Sequence, residues 1–251
     1  MVARLRGEHG QRAGTPSIRK GKQVCPNKPA FIGGDRICLM VNALNRFAEG
    51  FQRHWLAVLV GILFAYSLFP FLAPVFKAAN LDGLAQLIYQ PYKFVCHTYG
   101  FRSFFLFGEQ PVYERNEFER DSGIDTTSLG GLLQSRDFQG NAQMGYKVAL
   151  CQRDVAIYFA MAANGVVYSL VRKRGKPLPW LWFVLIGIVP IAIDGFSQLF
   201  SQPPFNFLPY RESNWLLRLG TGALFGFALA WLVFPLIDGA IGSTDMKRIN
   251  G

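Results

Sequence analysis

His97, Cys151, Asp154 and Asp194 are the residues of this chain whose types suit metal-assisted or acid–base chemistry, and three of them flank long apolar blocks. An imidazole, a thiolate and two carboxylates make a mixture of nitrogen, sulfur and oxygen ligands that Zn²⁺ accepts. On a helix, Cys151 and Asp154 at i,i+3 share a face, as do Asp194 and Gln198 at i,i+4. A second set suits the binding of an anion: Arg102, Arg153, Arg211 and Arg218, with Gln198 and Glu212 among them. The first four residues are therefore the candidate catalytic and metal-ligating groups, with zinc or another divalent metal as the candidate cofactor. The other six are the candidate substrate-binding groups, for a lipid or another anionic molecule. Two simpler arrangements compete. One is an ion-pair network of Asp154 and Asp194 with Arg153 and Arg218. The other is a Cys96–Cys151 disulfide, which an oxidising compartment permits.

The positioning elements follow from the apolar blocks Trp55–Phe76, Val155–Val171, Pro177–Ile193 and Leu219–Ile237, none of which contains a formal charge. A helix of roughly 20 apolar residues crosses a hydrocarbon core of about 30 Å. Helices of a soluble core keep a polar stripe, which these blocks lack. The fold class is thus an all-α membrane protein of four transmembrane helices, at about 55–76, 148–171, 177–198 and 216–237, in a membrane domain spanning 40–251. The first block starts behind a basic stretch and is too long for the apolar region of a signal peptide.

Charge sets the orientation. The net charge is +10, and ten of the 26 Lys and Arg precede residue 54. Four more make up Arg172-Lys173-Arg174-Gly175-Lys176, whereas 77–147 has seven basic and eight acidic residues. Cytoplasmic loops are the ones enriched in Lys and Arg. Both termini and the 172–176 turn are therefore placed in the cytoplasm, and the loops 77–147 and 194–218 outside an inner (plasma) membrane. The basic charge is a topology signal that also suits anionic lipid headgroups, not a nucleic-acid footprint.

Residues 1–39, rich in Gly, Arg, Lys and Pro, have no helical or strand period and read as a disordered basic extension. The segment 40–55 is an amphipathic lead into the first span. Leu84, Leu87 and Ile88 share a face and predict an interfacial or re-entrant helix over 81–94. The aromatic segment Phe101–Gly108 suits the membrane–water boundary, and 113–145 reads as an exposed polar loop or small cap. Pro190 predicts a kink in the third span. Gly222 and Gly226 form a GxxxG that lets another helix approach, whether of a partner protein or of a second copy.

Four stretches together resemble a known family: FVCHTYGFRSFFLFGEQPV (94–112), MGYKVALCQRDVAIY (144–158), IVPIAIDGFSQLF (188–200) and RESNWLLRLGTGALFG (211–226). The combination, over roughly residues 50–240, is similar to the domain of unknown function 2085, a family of predicted prokaryotic membrane proteins. The resemblance implies a bacterial multi-pass membrane protein and supplies no activity. Relatives of this type carry Cys-x-x-Cys where this chain has Cys151-Gln152-Arg153-Asp154. They also reach it directly after the GEQPV-like segment, whereas 113–145 intervenes here. Since Cys and Asp are both metal ligands, the exchange fits a metal site better than a structural disulfide.

Three function classes fit these residues. One is a membrane-boundary enzyme with a metal or thiol centre, although HExxH, GxSxG and Walker motifs are all missing from the sequence. Another is an accessory or assembly subunit of a larger membrane complex. The third is a small-solute transporter, which the scarcity of ionisable groups at mid-membrane disfavours. Orientation has a direct test in intact cells. A membrane-impermeant thiol reagent should label Ser122→Cys and not Gly175→Cys, and labelling of Gly175→Cys alone would invert the topology.

Overall fold

The computed structural model describes residues 34–171, 175–202 and 204–250, with side chains described within 39–241. The chain divides into two units, 1–53 and 54–251. Most of the basic extension lies outside the described residues. Its described part, 34–39, is already helical, because α1 runs Gly34–Leu68. Four helical stretches are long and apolar enough to cross a membrane: Leu39–Ala78, Gln152–Val171, Trp180–Phe200 and Trp215–Ile241. The fold class read from the apolar blocks is the observed one.

The first apolar stretch is not a single straight helix. A 3₁₀ turn at Phe69–Phe71, containing Pro70, separates α1 from α2 (Leu72–Ala78), as a residue without an amide hydrogen would dictate. α3 follows at Asp82–Val95. Of its predicted apolar face, Ile88 is buried while Leu84 and Leu87 are exposed. Ala85, Ile88, Tyr89 and Tyr92 form its inner face, packed with Ala73, Ala149 and Leu150.

Of the two readings of 113–145, an exposed polar loop or a small cap, the structure shows a folded cap, which extends into the flanking residues. It contains β1 (Ser103–Leu106), α4 (Arg115–Ser122), α5 (Leu129–Asp137), β2 (Gly140–Asn141) and β3 (Gly145–Cys151). The strands form an antiparallel sheet in the order β1-β3-β2. Glu114 and Glu117 close a capping box on α4, and the Ser128 side chain caps α5. Phe101 and Phe105, expected at the membrane boundary, are instead buried with Tyr113, Phe118, Leu132 and Met144 in the cap's own core.

β3 runs without a linker into α6 (Gln152–Val171). The second membrane helix therefore starts at Gln152 and not at 148. Val148, Ala149 and Leu150 are buried in the strand, and their apolar character made them look like the start of the span. The third stretch is α7 (Trp180–Trp182), a π-helical segment (Phe183–Ile188) and α8 (Val189–Phe200). The Val189 amide reaches back to Val184, one residue further than in an α-helix. This widened turn stands just before Pro190, whose ring crowds the carbonyl four residues earlier.

α9 (Trp215–Asn250) packs along α6. A Cβ at Gly226 would lie 2.2 Å from the Ile157 carbonyl oxygen, and one at Gly222 2.7 Å from that of Arg153. The close helix approach predicted by GxxxG is thus made within the chain, and α6 fills the face assigned above to a partner. Elsewhere in the body Trp55, Leu56, Leu63, Ala162, Tyr168, Ala230 and Phe234 form the bundle core.

One buried lysine ties β3 to α5 and to the loop after α3. Lys147 Nζ donates to the carbonyls of Thr98 at 2.7 Å, Arg136 at 2.8 Å and Ser135 at 3.4 Å. The last two belong to the final turn of α5, where carbonyls lack intrahelical partners. Burial first, and then Lys93, pushes the Lys147 pKa down to about 7, with Asp137 opposing. This lies below the unfolded value of about 10.4, so between the two the unfolded chain binds more protons and native stability rises with pH. Lys147→Met should therefore lower stability at pH 7 by on the order of 1–3 kcal/mol, as buried carbonyls lose their donor. It should also lose part of the wild-type gain between about pH 7 and 9.5. Tryptophan-fluorescence melts in detergent measure both, and an unchanged pH gain would contradict the assignment.

Candidate functional site

Two thiols and one carboxylate meet where three elements end or begin. Cys96 closes α3 with an extended backbone, its amide donating to the Tyr92 carbonyl at 3.0 Å. Cys151 is the last residue of β3 and pairs across the sheet with Ser103. Because α6 starts at the next residue, Asp154 falls in its first turn. A ligand atom of each of Cys96, Cys151 and Asp154 lies within 4.8 Å of the other two. Both thiols are unoxidised. The hydrogen-bonded Cys96 thiol, then burial and the Asp154 carboxylate, hold the Cys151 thiol well above the usual range, against the Asp154 amide.

This trio differs from the four residues grouped from sequence. His97 is exposed, with its ring 5.8 Å from that of Tyr99, and is not among the clustered ligand atoms. Successive side chains of an extended backbone point to opposite sides, so only one of Cys96 and His97 can face Cys151. His97 does line the same cavity, a partly open space of about 210 Å³ bordered also by Thr98, Arg102, Arg153, Gln198 and Arg218.

Asp194 belongs to a different set. Buried in α8, it accepts from Arg153, from Arg211 Nη2 at 3.4 Å and from Gln198 Nε2 at 3.1 Å. Arg211 also donates to Ser197. One half of the ion-pair network read from sequence is therefore present, Asp194 with Arg153. The other half is not, because Arg218 is committed to Glu212.

Glu212 bridges two guanidinium groups. Arg102 Nε and Nη2 donate to its two oxygens at 2.9 Å each, and Arg218 Nη2 donates to Oε1. Arg218 Nη1 donates to the Phe101 carbonyl at 3.0 Å and to Gln152 Oε1 at 3.1 Å, and Gln152 Nε2 reaches the Ser103 carbonyl at 3.0 Å. Gln202 accepts from Arg102 at 3.0 Å and donates to Glu212. Burial alone would raise the Glu212 pKa, but Arg102 and Arg218 hold it below the usual carboxylate range.

Two of the three carboxylates in this region thus have two guanidinium groups each. Asp154 has no ion pair or side-chain hydrogen bond among the described residues and faces the thiols instead. The donors show a matching surplus. Four buried side-chain polar atoms lack a partner among the described residues, and three of them, Thr98 Oγ1, Arg153 Nε and Arg218 Nε, sit on residues lining this cavity. Thr98 has φ 45°, a left-handed conformation that a β-branched residue rarely takes, while its carbonyl is held by Lys147.

Sequence reasoning missed Thr98, Gln152 and Gln202, and weighed Cys96 only as an apolar or disulfide residue. Gln152 and Gln202 are polar residues beside apolar runs, which is a readable signal. Strain at Thr98 leaves no sequence signature.

Residues 140–232 match the family described as Predicted membrane protein (DUF2085). The match includes Cys151, Asp154, Asp194, Glu212 and Arg218, and starts after Cys96, His97 and Arg102. An uncharacterised protein of the archaeon Methanocaldococcus jannaschii is 26% identical over 191 residues, which cover 74% of this chain and 93% of that protein. No solved structure matches the chain. From β2 to residue 232 within α9, this membrane protein resembles the DUF2085 family to which its sequence motifs point.

Proposed function

We propose that this multi-pass membrane protein holds a thiophilic divalent metal, zinc by preference, through Cys96, Cys151 and Asp154. The carrying observation is the Asp154 carboxylate, which lacks a cationic partner and lies within 4.8 Å of two thiol sulfurs. Neighbouring carboxylates are neutralised by arginines, so a metal cation is the group that Asp154 and two thiolates would complement. Three protein ligands leave a fourth position open to the cavity, which is the form of a catalytic zinc site, since structural sites are closed by four. When bound, zinc supplies a Lewis acid and a water activated near neutral pH.

The protein's own residues then divide the remaining tasks. His97, at the cavity rim and next in sequence to Cys96, is the candidate proton carrier. Asp194 orients Arg153 and Arg211 and is not a ligand. The charge asymmetry of the loops supports a cytoplasmic location for both termini, with the cap and cavity on the outer face of a plasma membrane. Membrane lipid is then the immediate environment of the site.

Elemental analysis of the detergent-purified protein tests the proposal. The wild type should carry about one zinc per chain, Cys96→Ser and Cys151→Ser should each lose most of it, and Asp154→Asn should bind it more weakly. A thiol count under non-reducing conditions supplies the contrary outcome. Should Cys96 and Cys151 be joined as a disulfide in the native protein, or zinc persist in the double Cys→Ser variant, the metal assignment fails.

A further inference from the structure

The cavity that holds the three candidate ligands has an opposite wall of different character. Arg102, Arg153 and Arg218 line it together with Thr98. Arg218 is 4% exposed and Thr98 3%. Arg102 and Arg218 share the single charge of Glu212, and Arg153 shares that of Asp194 with Arg211. Each carboxylate is therefore outnumbered, and this wall has more positive than negative charge. It also has unused donors. Among the described residues, the Nε–H groups of Arg153 and Arg218 and the Thr98 hydroxyl are buried without a partner. Buried donors of charged groups are strongly disfavoured when unpaired, and the three belong to residues that line one cavity.

We propose that this wall binds a phosphate group, with Arg153 Nε, Arg218 Nε and Thr98 Oγ1 donating to its oxygens. A tetrahedral anion with several acceptor oxygens matches donors supplied by different elements around one cavity: Thr98 from the loop after α3, Arg153 from α6 and Arg218 from α9. Guanidinium groups are the side chains best suited to such oxygens. A cavity of about 210 Å³ has room for the anion and some waters, each of which occupies about 30 Å³. Glu212 and Asp194 hold the arginine planes in place, and Arg211, engaged with Asp194 and Ser197, stands outside the ligand set. The inference rests on the same reading of the cavity as the functional site and names its substrate class: a phosphate-bearing molecule whose free oxygens face the arginines while the thiol side faces its reacting end.

Calorimetric titration of the full-length protein with inorganic phosphate tests this, in phosphatidylcholine nanodiscs and after removal of metal by a chelator. The wild type should bind with saturable affinity. Thr98→Ala, which also relieves β-branching at a strained position, and Arg153→Lys, which keeps the charge beside Asp194 but lacks the Nε–H, should each weaken binding by about tenfold. Zinc content should be unchanged in both variants, which separates the two readings. Phosphate binding in the metal-free protein supports the anion wall even if zinc is never found. Absence of zinc from the purified wild type, with phosphate binding present, would count against the metal reading alone. Nanodiscs containing phosphatidic acid identify the source of the phosphate. Weaker apparent affinity for inorganic phosphate there assigns the wall to a lipid headgroup, and unchanged affinity assigns it to a free phosphate compound. Absence of saturable binding in the wild type, or equal affinity in wild type, Thr98→Ala and Arg153→Lys, overturns the inference.

Discussion

Glu212 is the carboxylate on which the cap end of the bundle depends, because among the described residues it is the one paired with both Arg102 and Arg218. Arg102 comes from the turn before β1, Glu212 from the segment between α8 and α9, and Arg218 from the first turns of α9. The side chain of Arg218 also extends to Phe101 and Gln152, so the strand–helix junction at Cys151 is fixed through the same contacts. Desolvating such charges is costly and only good hydrogen-bond geometry offsets it. The two-oxygen grip of Arg102 on Glu212 supplies that geometry. Without it, two guanidinium groups would repel each other in a poorly solvated space, and the walls of the cavity would separate.

The same end of the molecule stores strain. Thr98 is held in a left-handed conformation while Lys147 grips its carbonyl from below. Lys147 is itself placed by β3, whose register sets Lys147 opposite Phe105 and Cys151 opposite Ser103. A bulge lies between these pairs and breaks the regular alternation between Lys147 and Cys151. Strained backbone persists where its surroundings over-determine it, and it clusters at binding sites. Here the strained residue is also one whose hydroxyl has no partner.

Long-range features were legible where a single physical signal governs them. The four apolar helices follow from uninterrupted runs of non-polar residues, because bilayer thickness fixes the length required. The sheet was not legible, since GYKVALC merges its apolar strand residues into the run of α6 without a turn residue between them. Hydrophobicity alone cannot divide a buried strand from a buried helix. The glycines of α9 carried a correct statement about close approach and nothing about which helix approaches. The site was half legible. Cys151 and Asp154 do meet, but across the strand–helix junction and not on the shared helical face expected of i,i+3, and the third member comes from a Cys-His dipeptide in extended backbone. Which of the two faces inward depends on the conformation at Cys96, and composition does not encode that.

The distribution of charge explains why one cavity can have two chemistries. Electrostatic energy in a poorly solvated space is dominated by the nearest partner, so local balance matters more than the net charge of +10. On one side, three arginines share carboxylates that do not satisfy all their donors. On the other, a carboxylate faces two thiols, and the Cys96 hydrogen bond, burial and this carboxylate together oppose ionisation of Cys151. Each side lacks what the other has in excess, yet they do not collapse onto each other. Arg153 and Asp154 are adjacent in sequence, but α6 turns their side chains about 100° apart around its axis. Arg153 is directed to Asp194 in α8, and Asp154 to the ends of α3 and β3. The helix thus keeps a cation and an anion apart at the minimum chain separation, and the space between them can take an external pair of opposite charges, a metal ion and the anion it acts upon.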